Sequence, residues 1–194
     1  MEAVNVALIG HSFIKRLHRF TKSCYLYDNL RLDKDNYALH YRYKGGLTVN
    51  KLAQDPDLCS FDSIIDIAFI QIGGNDACQE SMSVENIVIN ILSYASFLHF
   101  GVGIKKIIIG QLLFREVFAT FHDYNKKIAQ INVLLADKIK NENLHFVLFW
   151  HHHGFWQDNN VLCFDGVHLN HFGMRKYFRS VRAAILHKVH KVQL

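Results

Sequence analysis

The 194-residue chain has a single proline, Pro56, and no stretch rich in Ser, Pro and Gly. Linkers between domains are built from those residues, so residues 1–194 are expected to form one domain. The four cysteines, Cys24, Cys59, Cys78 and Cys163, show no C-x-x-C spacing. That argues against a zinc site and against a disulfide scaffold, and a reduced, intracellular compartment is the default expectation. No uncharged apolar run reaches the roughly 18 residues of a membrane span. The first apolar run starts at Val4, which leaves no room for a signal peptide. Internal repeats are absent, as are G-x-G-x-x-G, a Walker A pattern and a G-x-S-x-G elbow. Dinucleotide binding, P-loop chemistry and the usual α/β-hydrolase pattern are therefore disfavoured.

What is present points to a folded α/β chain. Apolar residues make up 50% and charged residues 20%, a balance that supports a packed core rather than disorder. The formal charge is +5. Lys and Arg are dispersed, and their densest cluster is Arg175, Lys176, Arg179, Arg182, Lys188 and Lys191. A solvated helix face is the plain reading of that cluster, with a nucleic-acid surface the lesser alternative.

Hydrophobic patterning predicts strands at 4–9, 37–43, 63–72, 106–109 and 145–150. Helices are predicted at 13–20, 47–52, 84–100, 123–141 and 171–189. The run at 63–72 is almost continuously apolar, as suits a central parallel strand covered on both faces. Five strands joined by connections long enough to hold helices predict a three-layer α/β/α sandwich on a five-stranded parallel sheet, flavodoxin-like in architecture. Sites in such folds gather at the carboxyl ends of the strands. Three polar stretches fall there: Gly10-His11-Ser12, Gly73-Gly74-Asn75-Asp76 and Asp165-Gly166-Val167-His168.

Those stretches hold the parts of a serine acyl-transfer site. Ser12 is a candidate nucleophile, His168 a base, and Asp165 an acid that a tight loop could turn onto the imidazole. Asn75 and a glycine amide are candidate oxyanion donors. At this point the chain resembles the SGNH (GDSL-type) hydrolase family, in four blocks spread over almost its whole length. They are Ile9-Gly10-His11-Ser12-Phe13, Gly45-Gly46-Leu47-Thr48, Gly73-Gly74-Asn75-Asp76 and Asp165-Gly166-Val167-His168-Leu169-Asn170.

The resemblance implies the SGNH hydrolase fold and a serine esterase acting on short acyl esters, such as acetyl groups of a small-molecule, carbohydrate or lipid substrate. It implies a triad of Ser12, His168 and Asp165. It also implies an oxyanion hole made by the backbone N–H groups of Ser12 and Gly46 and the side chain of Asn75. No metal or organic cofactor is implied. His11 stands where the family has Asp, and Leu169 where a proline often follows the histidine. A variant group with Gly-His-Ser, Leu-Leu-x-Arg and Asp-Gly-x-His-Leu-Asn is closer, and here the middle element is Leu112-Leu113-Phe114-Arg115. Such domains resemble esterase-like parts of some animal and retroelement-derived proteins. The alternative on the same fold is a weakly active or inactive module that binds a protein or nucleic acid.

His11, Arg115 and Trp156 are the candidate substrate-binding residues, with Phe155 and Trp156 as pocket walls. His151-His152-His153 is expected to flank the cleft rather than bind metal, since consecutive side chains of an extended segment point in alternating directions.

Overall fold

In a computed structural model the chain is described over residues 2–116, 123–155 and 159–190. Five strands, β1 (Val4–Gly10), β2 (Tyr37–Tyr43), β3 (Ile67–Gln71), β4 (Lys106–Gly110) and β5 (Val147–Trp150), form one sheet in the order β2-β1-β3-β4-β5. Every pairing is parallel. β3 is the middle strand, and β1 is an inner strand with Val6 opposite Leu39 on one side and Ile67 on the other.

The side-chain period of two sorts the apolar residues into two cores. Val6, Leu8, Ile67, Phe69 and Ile108 face the layer of α1 (Ser12–Lys22) and α7 (His171–His190). Ala7, Ile9, Ala68, Ile70, Ile107 and Ile109 face the layer of α2 (Val49–Ala53), α5 (Val84–Ser96) and α6 (Tyr124–Asn141). Two single-turn helices, α3 (Pro56–Cys59) and α4 (Gly74–Ala77), complete the set. The three layers and the five-stranded parallel sheet are those expected from the hydrophobic pattern.

Boundaries differ where tertiary contacts override local preference. The third strand begins at Ile67 rather than residue 63: Ile64 is exposed, and at Asp66, whose backbone already bonds Asn5 O and the Lys106 N–H, the side chain takes the Asn5 N–H at 2.9 Å. The helix predicted to residue 100 stops being α-helical at Ser96 and ends in a π-turn over Phe97–Gly101. Between α1 and β2, the segment Tyr25–Arg31 makes short 3₁₀ turns broken by a kink at Asp28, Asn29 and Leu30. No helix among the described residues is long and apolar enough to cross a membrane.

Candidate active site

β1 ends against its neighbour at Gly10, where an added Cβ would strike the backbone carbonyl of Gln71. The next residue, His11, donates its N–H to Gln71 O at 3.4 Å and caps α1, its Nδ1 accepting the Phe13 N–H at 3.4 Å. Ser12 is thereby the first residue of α1, at the carboxyl edge of the sheet. His11 is 2% exposed. Burial, with help from the charges of Arg115 and His168, lowers its pKa to about 3. It is a neutral cap, and with Nδ1 accepting, its proton sits on Nε2.

The second and third blocks are tied to each other. Asn75 donates Nδ2 to Leu47 O at 2.9 Å, and Asp76 accepts the Val49 N–H on both carboxylate oxygens at 3.1 and 3.2 Å. Adjacent side chains of Gly-Gly-Asn-Asp thus clamp the two ends of the short segment that follows Gly46. Asp76 is buried, and desolvation raises its pKa against the lowering effect of those N–H groups. Gly46 has φ +73°, and a Cβ there would meet nothing within 4 Å, so its backbone borders open space. The Asn75 amide carries two N–H groups; Leu47 takes one and the other stays available.

Arg115 sits behind this pair and is 8% exposed. Its Nη2 donates to Asn75 Oδ1 at 3.1 Å, its Nη1 to Cys78 Sγ at 2.7 Å, and the guanidinium lies 4.9 Å from the centroid of the Tyr124 ring. The bond to Oδ1 fixes which end of the Asn75 amide points away from it. Two asparagines of α6 hold the loop that delivers Arg115. Asn125 bonds both backbone groups of Arg115 (3.0 and 2.7 Å), and Asn132 bonds both of Leu112 (2.8 and 2.9 Å). Each amide acts as a strand partner for one loop residue.

The fourth block is a tight loop ahead of α7. Asp165 Oδ2 lies 2.8 Å from His168 Nδ1, while its Oδ1 accepts the N–H groups of Val167 (2.9 Å) and His168 (2.8 Å). Desolvation pushes the Asp165 pKa up, but the bonds from His168 and Val167 outweigh it and hold the carboxyl at about 2. Asp165 is therefore an anion that accepts the Nδ1 proton and leaves Nε2 of His168 outward. Leu169 is buried in the core, and Asn170 caps α7 by accepting the Gly173 N–H at 2.9 Å.

Cross-contacts bring the four blocks together. Lys44 N bonds Gly10 O at 3.3 Å, His11 Nε2 lies 3.7 Å from where a Gly74 Cβ would be, and the Phe13 and His168 rings are 6.5 Å apart. Among the described residues, Ser12 Oγ and His168 Nε2 have no hydrogen-bond partner, and no bond joins them. His11 and Arg115, expected as substrate contacts, are both buried. Trp156 lies outside the described residues, while Phe155 is a buried core residue.

The three histidines also divide as their alternation predicts, and only His152 is buried among them. Its backbone N–H bonds Gln111 Oε1 at 2.9 Å, Nε2 contacts Gln71 Oε1 at 3.1 Å and Nδ1 contacts Ser180 Oγ at 2.8 Å. Gln71 Oε1 also accepts from Tyr177, and Ser180 Oγ from Trp150 Nε1. The acceptors fix the tautomer: the proton is on Nε2 and the Ser180 hydroxyl donates to Nδ1. Burial, then the neighbouring His151 and His153, lowers the His152 pKa to about 3. This network joins α7 to the ends of three strands. No group of three or more His, Cys, Asp or Glu side chains suited to a metal occurs among the described residues.

Asn125 and Asn132 belong to none of the four blocks, and sequence reasoning misses both. A polar residue on an otherwise apolar helix stripe, as Asn132 is beside Ile128, Ile131 and Leu135, was the available signal for one of them.

The fold is that of GDSL-like lipases and acylhydrolases. A GDSL-like lipase from Bacteroides thetaiotaomicron superposes with a TM-score of 0.70 at 18% identity, covering 95% of this chain and 88% of that one. The lipase/acylhydrolase from Enterococcus faecalis gives 0.69 at 14%, over 92% and 93%. A catalytic mutant of an acetylxylan esterase from Geobacillus stearothermophilus, with a serine replaced by alanine, gives 0.66 at 14%, over 95% and 96%. No protein-family model matches the sequence, and no curated protein matches it.

Proposed function

We propose that residues 1–194 form one domain that hydrolyses short acyl esters, acetyl esters among them, through a Ser12-His168-Asp165 triad. Ser12 Oγ attacks the ester carbonyl as His168 Nε2 takes its proton. The tetrahedral oxyanion accepts hydrogen bonds from the Ser12 and Gly46 N–H groups and from Asn75 Nδ2. Collapse breaks the bond to the alcohol, which leaves with the proton from His168. Water then adds to the acyl-enzyme by the same steps in reverse roles, and the acid departs. Asp165, anionic and 2.8 Å from Nδ1, keeps the acceptor nitrogen facing outward and stabilises the imidazolium that forms.

The observation that carries this reading is that ion pair-ready Asp165–His168 contact, at the same sheet edge as a helix-starting serine. The fold shared with acylhydrolases supports it, as does the serine-to-alanine catalytic mutant of the acetylxylan esterase. An aryl-acetate assay tests it: the wild type releases the aryl alcohol well above background and Ser12→Ala does not. Equal rates for the two proteins would refute the esterase assignment.

A further inference from the structure

Away from the candidate active site, the face between α7 and the Tyr25–Arg31 segment holds a cavity of about 360 Å³. Four arginines line it, Arg31, Arg175, Arg179 and Arg182, together with Tyr27 and Phe178. Arg175, Arg179 and Arg182 fall on one face of α7 at helical spacing, and Arg31 comes from the opposite wall. No carboxylate lines the cavity. Asp28, on the same segment as Arg31, is taken by Lys34 at 2.6 Å. Among the described residues, no salt bridge involves any of the four arginines.

Two further features mark the place. Arg182 Nε is a buried donor with no partner, although the same guanidinium reaches Arg31 O at 3.5 Å. The backbone that carries Arg31 runs through three left-handed residues in a row, Asn29, Leu30 and Arg31 (φ 48°, 53° and 54°). Such a run is unfavourable for Leu and Arg. Burial of Leu30 and the bonds from Asn29 Nδ2 to Leu32 O and Tyr37 O hold it in place.

We propose that this cavity binds a compact multivalent phosphate group. Four like charges around one space repel each other, and a bound polyanion removes that cost. Guanidinium forks match phosphate oxygens in pairs, and the Arg182 Nε–H supplies a donor no protein group satisfies. The volume suits a small ligand rather than a long polymer. Tyr27 and Phe178, 5.4 Å apart edge to face, give the pocket an apolar wall. This site is independent of the esterase reading, since none of its residues belongs to the four blocks.

Calorimetric titration of the whole chain with inorganic tripolyphosphate tests it. The expected result is one saturable site per chain, weakened by added salt, with orthophosphate at least about tenfold weaker. Arg175→Gln and Arg179→Gln, both exposed, each weaken binding about tenfold or more and leave the unliganded melting temperature unchanged or slightly raised as the repulsion is relieved, while the remote Lys126→Gln binds as wild type. Absence of saturable binding, or binding that the two arginine variants leave intact, would overturn the proposal. Single-stranded DNA that displaces tripolyphosphate, with affinity growing with strand length, would overturn it too, in favour of an extended nucleic-acid surface.

Discussion

At the scale of single residues, hydrogen bonds fix the orientation of the candidate oxyanion donor. Asn75 is fixed at both ends, by Leu47 O and by Arg115 Nη2. Asn75→Ala should lower kcat by ~10²–10³, the usual loss for one oxyanion donor. On the proposed mechanism Arg115, bonded to Asn75 Oδ1 at 3.1 Å, acts through Asn75 as a positioning residue. Arg115→Met should lower kcat about tenfold or more with little change in KM, because the substrate is still bound but the amide is free to turn. A rise in KM alone would instead make Arg115 a substrate contact. His11 caps α1 as a neutral imidazole.

At the scale of elements, much was legible and some was not. Strands β1, β3 and β4 are legible because nearly continuous apolar runs can be buried only between two helical layers. The turns after β1 and β3 were visible because Gly, Asn and Asp are what tight strand–helix junctions require. The clamps were not, since a hydrogen bond across 20 or 28 residues leaves no local pattern. Asn132 illustrates this, sitting in a helix stripe yet serving as the partner of Leu112. Asn132→Leu would leave the Leu112 N–H and C=O unsatisfied. It should cost about 2–4 kcal/mol of unfolding free energy in denaturant titrations, two buried polar groups at ~1–3 kcal/mol each with some relaxation. Gly10→Ala should fail differently: its Cβ collides with the Gln71 carbonyl, so both stability and the placement of Ser12 suffer. Circular dichroism melts and the aryl-acetate rate should fall together for that variant.

For the whole molecule, the histidines set an acid limit. His11 and His152 are neutral when folded, with pKa lowered from 6.5 to about 3 by burial. Below pH 6.5 the unfolded chain takes up protons at both positions while the folded chain does not. Stability is therefore full above that pH and is lost as pH falls toward 3, by up to ~1.4 kcal/mol per pH unit for each histidine. Melting temperatures measured from pH 7 to pH 4 should fall steadily, and His152→Gln should flatten part of the slope. An unchanged melting temperature across that range would contradict the neutral assignments. The overall architecture and the location of the blocks followed from the sequence. The two-sided histidine burial and the arginine cavity did not, because each depends on α7 packing against distant segments, Gln71 in one case and Tyr25–Arg31 in the other.

Covalent labelling tests whether Ser12 is the nucleophile. The whole chain would be incubated with a fluorophosphonate probe, and the adduct located by peptide mass mapping. A single adduct on Ser12, absent in Ser12→Ala and slowed at least about a hundredfold in His168→Asn, is the predicted result. No adduct, or an adduct on another residue that persists in Ser12→Ala, would contradict it.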